Sequence, residues 1–170
     1  PLGEFLEPGD LAYLDELIDL DGWYPMESFE RLGLAIFQAI AEGDLGLVRD
    51  WGRASVERVV GLNPHVLLPG DPRESLMRFF VLRRSLFDYE ALSMLQLCDA
   101  SASIGVEYGM GALAEQAAAV QTMGFFQGLI ELADGAVEKK LGALANVRER
   151  CLEFVRHVAQ KLVFLVRGFL

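Results

Sequence analysis

Two histidines, His65 and His157, two cysteines, Cys98 and Cys151, and several neighbouring carboxylates are the groups in this chain equipped for chemistry. Imidazole and thiolate side chains hold a metal only when further ligands gather at set spacings. No H-E-x-x-H, paired-cysteine, G-x-S-x-G or phosphate-loop pattern is present. His65 lies in an Asn-Pro-His loop, open to a heme or metal role or to that of an ordinary loop histidine, and no second ligand cluster accompanies it. His157 sits on the border of a basic C-terminal helix and reads as structural. Asp15 and Glu16 are adjacent, so on a helix they diverge and make a poor acid/base pair. The run Tyr108–Gly111, "YGMG", lacks the three spaced glycines of a dinucleotide turn. These residues predict no catalytic group, no metal ligands, no cofactor and no enzyme.

Composition sets the elements that position them. With 170 residues and 52% apolar content, the chain can bury a core without disulfides, so residues 1–170 read as one domain. Residues 1–9 read as a tag remnant or a disordered lead, and 143–170 as an amphipathic C-terminal segment. Both cysteines lie among apolar residues at helical spacing and are expected to be buried and reduced, which favours a cytoplasmic setting. No secretory signal is evident. The net charge of −10 argues against a nucleic-acid partner. Its distribution is uneven: eleven acidic residues face a lone Arg31 before Arg49, whereas seven basic residues face two glutamates from Lys139 onward. Either these are two solvated faces, or the acidic part and the basic tail meet different partners or pair head to tail between protomers.

Helix signals dominate. Asp10 is a candidate cap for a short helix through Leu11, Leu14 and Ile18. Pro25 suits the first turn of the next helix, with Phe29, Leu32, Ile36 and Ile40 on its buried stripe. Gly43 ends that helix and Asp44 starts another, with Gly52 a candidate break. "DPRES" combines a capping aspartate, proline and Glu74, and predicts a helix from Pro72 to about Cys98. Alternation in "SASIGVEYG" predicts a half-buried strand. A long Ala/Gly-rich helix should follow over Ala112–Ala133, stopped by Gly135. The fold class expected is α+β, predominantly helical, with N-terminal helices packed on a small antiparallel sheet. A helix from about Ala145 is expected to close the chain, a strand pair near Val137–Leu141 and Leu162–Val166 being the alternative.

Within the long helix, "MGFFQGLIEL" carries Gly124 and Gly128 one turn apart, each costing about 1 kcal/mol against alanine. Glu115, Gln116, Gln121, Gln127 and Glu131 rule out a membrane span there. The small residues should instead let the helix lie against another backbone, plausibly the 101–108 strand. Phe125 and Phe126 diverge, so one is expected in the core and the other in a neighbouring crevice. Trp23, Tyr24, Phe125, Phe126 and Leu129 are the expected ligand or partner groove. Phe154, Val158, Leu162, Leu165 and Phe169 form the apolar stripe of a basic C-terminal interaction helix, suited to self-association or a partner helix.

Two stretches, "DGWYPMESFERLG" and "ASIGVEYGM…AEQAAAVQTMGFFQGLIELADG", resemble the NO-signalling and Golgi-transport ligand-binding superfamily over about Asp21–Gly135. That superfamily includes heme-NO-binding domains, four-vinyl-reductase domains and heme-free bacterial paralogues. The resemblance implies an α/β domain whose cavity takes heme, an acyl chain or another apolar molecule, often in a dimer. The proximal histidine and tyrosine-serine-arginine motif of the heme branch are missing between Pro72 and Gly111, as is the cysteine cluster of the vinyl-reductase branch. The expectation is therefore a heme-free regulatory or sensory module binding an apolar small molecule or a protein partner, or else an adaptor that assembles through its charged ends.

Overall fold

Side chains of aspartate start two of the helices. Asp44 Oδ1 accepts from the amides of Gly46 (2.7 Å) and Leu47 (3.3 Å), and Asp71 Oδ1 accepts from the Glu74 amide (2.9 Å). Each satisfies backbone donors that the first helical turn leaves unpaired. The computed structural model describes residues 6–15, 23–85, 89–98 and 101–135. The expected C-terminal helix, its alternative strand pair, the stripe from Phe154 to Phe169, His157 and Cys151 lie outside the described residues.

In chain order the elements are α1 (Pro8–Asp15), α2 (Met26–Ala39), α3 (Leu45–Leu62), α4 (Pro72–Leu82), β1 (Leu92–Leu97), β2 (Ala102–Val106) and α5 (Ala112–Ala133). The fold is α+β and predominantly helical, with a two-stranded antiparallel sheet among the described residues. α5 is its spine, packed by α3, α4 and α2.

The close approach expected of the small residues exists, but its partner is a helix and not the strand. A Cβ at Gly124 would collide with the Arg49 carbonyl oxygen of α3, and a Cβ at Gly52 with the Gln121 carbonyl oxygen of α5. A Cβ at Gly128 would lie 2.9 Å from both the Arg53 oxygen and Val56 Cγ2. The two helices thus meet backbone to backbone, each aiming glycine hydrogens at a carbonyl of the other, the geometry of a weak C–H···O contact. Gly52 is accordingly no break: α3 runs through it unbroken. Arg53 and Glu131 form an ion pair bridging the two helices.

Around this pair the interior divides in two. The larger cluster gathers Val56, Val66, Leu76, Phe79, Phe80, Leu92, Tyr108, Phe125, Phe126 and Leu129; the smaller joins Phe37 and Ala41 to Val48 and Ala117. At the N-terminus, Asp10 lies inside the first turn of α1, not at its cap, and accepts from the Glu7 amide (3.0 Å). Its carboxylate is buried under Arg31, which donates from Nε (2.6 Å) and Nη2 (3.0 Å) and holds the Asp10 pKa down at about 2. Pro8 and Gly9 therefore belong to a helix and not to a disordered lead. Pro25 precedes α2 as its cap residue.

α4 stops at Leu82, well short of the expected Cys98, and gives way to a 3₁₀ turn at Arg83–Ser85 and then to β1. β-Strand partners come from far along the chain or from a hairpin, and here the alternating 101–108 stretch recruits the residues just before it. Leu92 pairs with Val106 and Met94 with Ile104, both on the core side; a bulge at Leu95 then restores Leu97, opposite Ala102, to that side. Cys98, expected inside a helix, is exposed beyond the strand end.

Gly52→Ala and Gly124→Ala are each expected to lower stability by about 3 kcal/mol or more, because two backbones would have to separate. Gly33→Ala in α2, where a Cβ meets nothing within 4 Å, is expected to raise it by about 0.5–1 kcal/mol. Urea melts of the three variants provide the comparison.

Candidate functional site

The long helix places Phe125 and Phe126 about 100° apart around its axis, with Leu129 between them one turn on. Both rings are buried, and Leu129 is fully so. α4 brings its own adjacent pair: Phe79 lies 4.6 Å from Phe125 and 5.5 Å edge-on to Phe126, while Phe80 stacks on Phe126 at 5.8 Å. Four rings interlock in offset and edge-to-face contacts. The expected division of Phe125 and Phe126 between core and crevice does not occur, because a second phenylalanine pair fills both directions. Trp23 is 61% exposed and Tyr24 packs edge-on against Tyr13 at 5.4 Å. Neither belongs to the cluster that holds Phe125, Phe126 and Leu129, so the five residues do not line one groove.

The turn joining β2 to α5 is held by side chains from three directions. Glu115 accepts from the amides of Tyr108 (2.7 Å) and Met110 (3.0 Å), one with each carboxylate oxygen. Glu30 of α2 accepts from the Gly111 amide (3.0 Å), and the Tyr89 hydroxyl donates to the Tyr108 carbonyl (3.2 Å). Gly109 takes φ +75°, a left-handed conformation that glycine adopts without a steric penalty. The Tyr108 ring points into the core, where its hydroxyl meets Thr122 Oγ1 at 2.7 Å. Thr122 spends its only hydrogen on the Ala118 carbonyl (2.8 Å), so Tyr108 is the donor. Burial pushes the Tyr108 hydroxyl up to about 12, and the Glu115 charge adds to that shift. The "YGMG" run is thus a clamped structural corner.

Surface chemistry concentrates on α4. Arg73, Met77, Val81 and Arg84 follow at spacings of four, four and three, which aligns them on one side of a helical path. Met77 is 43% and Val81 71% exposed, with exposed Arg73 and Arg84 at either end. Two further arginines brace this face from below. Arg78 donates to Glu74 (2.9 Å) and to the His65 carbonyl (3.2 Å). Arg83 is buried, ion-paired with Glu90 and set 5.2 Å from the Phe80 ring centre; its Nε has no hydrogen-bond partner among the described residues. Residues 72–85 therefore hold four arginines against the single Glu74, inside a chain of net charge −10. Charge sums taken over the two ends of the sequence miss this middle segment. Its signal was the arginine spacing in "PRESLMRFFVLRRS" with apolar residues left on the polar side.

His65 is exposed in a 3₁₀ turn, and no group of three His, Cys, Asp or Glu among the described residues is placed to hold a metal ion. Among them, too, no helix is long and apolar enough to cross a membrane. No family model, curated protein or solved structure matches the chain.

Because an unfolded tyrosine loses its proton near 10 and Tyr108 near 12, its contribution to stability is whole below pH 10 and disappears as pH climbs toward 12. The loss is expected to reach on the order of 2 kcal/mol. Tyr108→Phe is expected to flatten that alkaline slope and to cost about 1 kcal/mol at neutral pH through the lost hydrogen bond. Urea midpoints from about pH 8 to about pH 11 test both statements.

Proposed function

We propose that this chain is a non-enzymatic regulatory or adaptor module, working in a reducing cytoplasm, that docks a protein partner on the outer face of α4. The observation that carries the reading is the exposure of Val81 and Met77 between Arg73 and Arg84. Large apolar side chains left in water invite burial, and methionine and arginine are enriched where proteins meet. The aromatic residues that a small apolar ligand would need are packed on one another, which favours a protein over such a ligand. Membership of the heme-free branch of the NO-signalling and Golgi-transport ligand-binding superfamily is part of the same proposal; a non-catalytic, signal-receiving role fits it.

The partner chemistry follows from the face itself: apolar side chains to cover Met77 and Val81, with carboxylates at the rim for the arginines. A short synthetic amphipathic helix of leucine and glutamate serves as the probe. Fluorescence anisotropy is expected to show binding on the order of 10 µM, weakened at least tenfold by Val81→Glu without loss of helical circular dichroism. Equal binding to wild type and Val81→Glu would remove α4 as the docking face.

A further inference from the structure

We propose that the occupant of the α4 face is a second copy of this chain, presenting the acidic, aromatic surface of its α1–α2 region, so that copies join head to tail. The proposal rests on the reading of α4 as a docking face and adds the identity of what docks there. At the other surface, Trp23 is 61% and Leu11 38% exposed, and Glu7 and Glu27 are exposed beside them in the chain. Tyr24 on Tyr13 holds the segment carrying Trp23 against α1. Arg31 is the single basic residue before Arg49, and it is committed to buried Asp10 and to Glu7. Among the described residues exposed Glu27 takes no ion pair, and it follows the exposed indole of Trp23 by four positions in the chain.

The two surfaces complement each other in kind. Guanidinium groups pair with carboxylates and stack on indole, and Met77 and Val81 supply apolar cover for Trp23 and Leu11. Neither surface suits its own image, since arginine would face arginine and carboxylate would face carboxylate. Two-fold, like-with-like pairing is thereby disfavoured. Unlike surfaces meeting give a heterologous contact, which continues into rings or open chains.

Sedimentation velocity on the full chain and two double variants tests this. Val81→Glu with Arg84→Glu removes the basic face; Trp23→Ala with Glu27→Lys removes the acidic one. The wild type is expected to associate at about 200 µM and to dissociate in about 0.5 M salt. Each double variant alone should be monomeric, with unchanged circular dichroism. Their equimolar mixture should form a one-to-one dimer and nothing larger, because each supplies the face that the other lacks. A monomeric wild type, association that salt leaves intact, either variant still associating alone, or a mixture that stays monomeric would each overturn the proposal. Peptide binding to α4 alongside a monomeric wild type would remove only the second copy and leave the docking face standing.

Discussion

Where α3 crosses α5, main chain touches main chain. Side chains normally keep helix axes 8–10 Å apart, and their volumes can be traded among neighbours as long as the total is kept. Glycines at 52, 124 and 128 remove that cushion, so carbonyl oxygens of one helix sit where side chains of the other would begin. The arrangement forfeits helix propensity three times over. In exchange it fixes the separation of the two longest helices and, through them, the width available to the four-ring cluster and to Leu129. The placement of α4, whose Phe79 and Phe80 complete that cluster, depends on it in turn. The outward direction of Met77 and Val81 follows from the same packing, since the opposite side of α4 is anchored inside.

The hairpin solves a different problem. Two strands alone are marginal in water, and this pair gains its stability by laying one side on the core. The bulge at Leu95 lets both ends of β1 contribute apolar residues to that side, at the expense of leaving Leu95 68% exposed. Glu115 then joins sheet to helix by accepting two amides of the turn, and the buried Tyr108–Thr122 hydrogen bond repeats the link one layer deeper. Strand end and helix start are thus tied by polar contacts that a purely apolar corner would lack.

Local signals carried much of the fold. Asp44 and Asp71 were readable as caps because the capping chemistry lies within three residues of the helix start, and α5 was readable end to end from Gly111 to Gly135. What failed depended on distance. Glycine spacing announces close packing but does not name the partner, so the strand beside α5 in sequence was expected where α3 lies in space. The run from Arg83 to Cys98 is apolar enough to continue a helix; only pairing with Ala102–Val106, a tertiary fact, makes Leu92–Leu97 a strand. The site residues divide similarly. Phe125, Phe126 and Leu129 were recognisable as important, yet periodicity cannot tell a ring that lines a hollow from one that meets Phe79 or Phe80. The α4 face is not legible from charge sums over the chain ends, because its arginines lie between those ends.

The contact between α3 and α5 joins positions about 70 residues apart, with α4 and the whole hairpin in between. During synthesis α3 leaves the ribosome long before α5 exists. Closing so long a loop is entropically costly, whereas the hairpin can zip locally within microseconds. The clasp of the two helices is therefore a long-range contact that cannot form until both have been made, whereas the hairpin needs only its own residues.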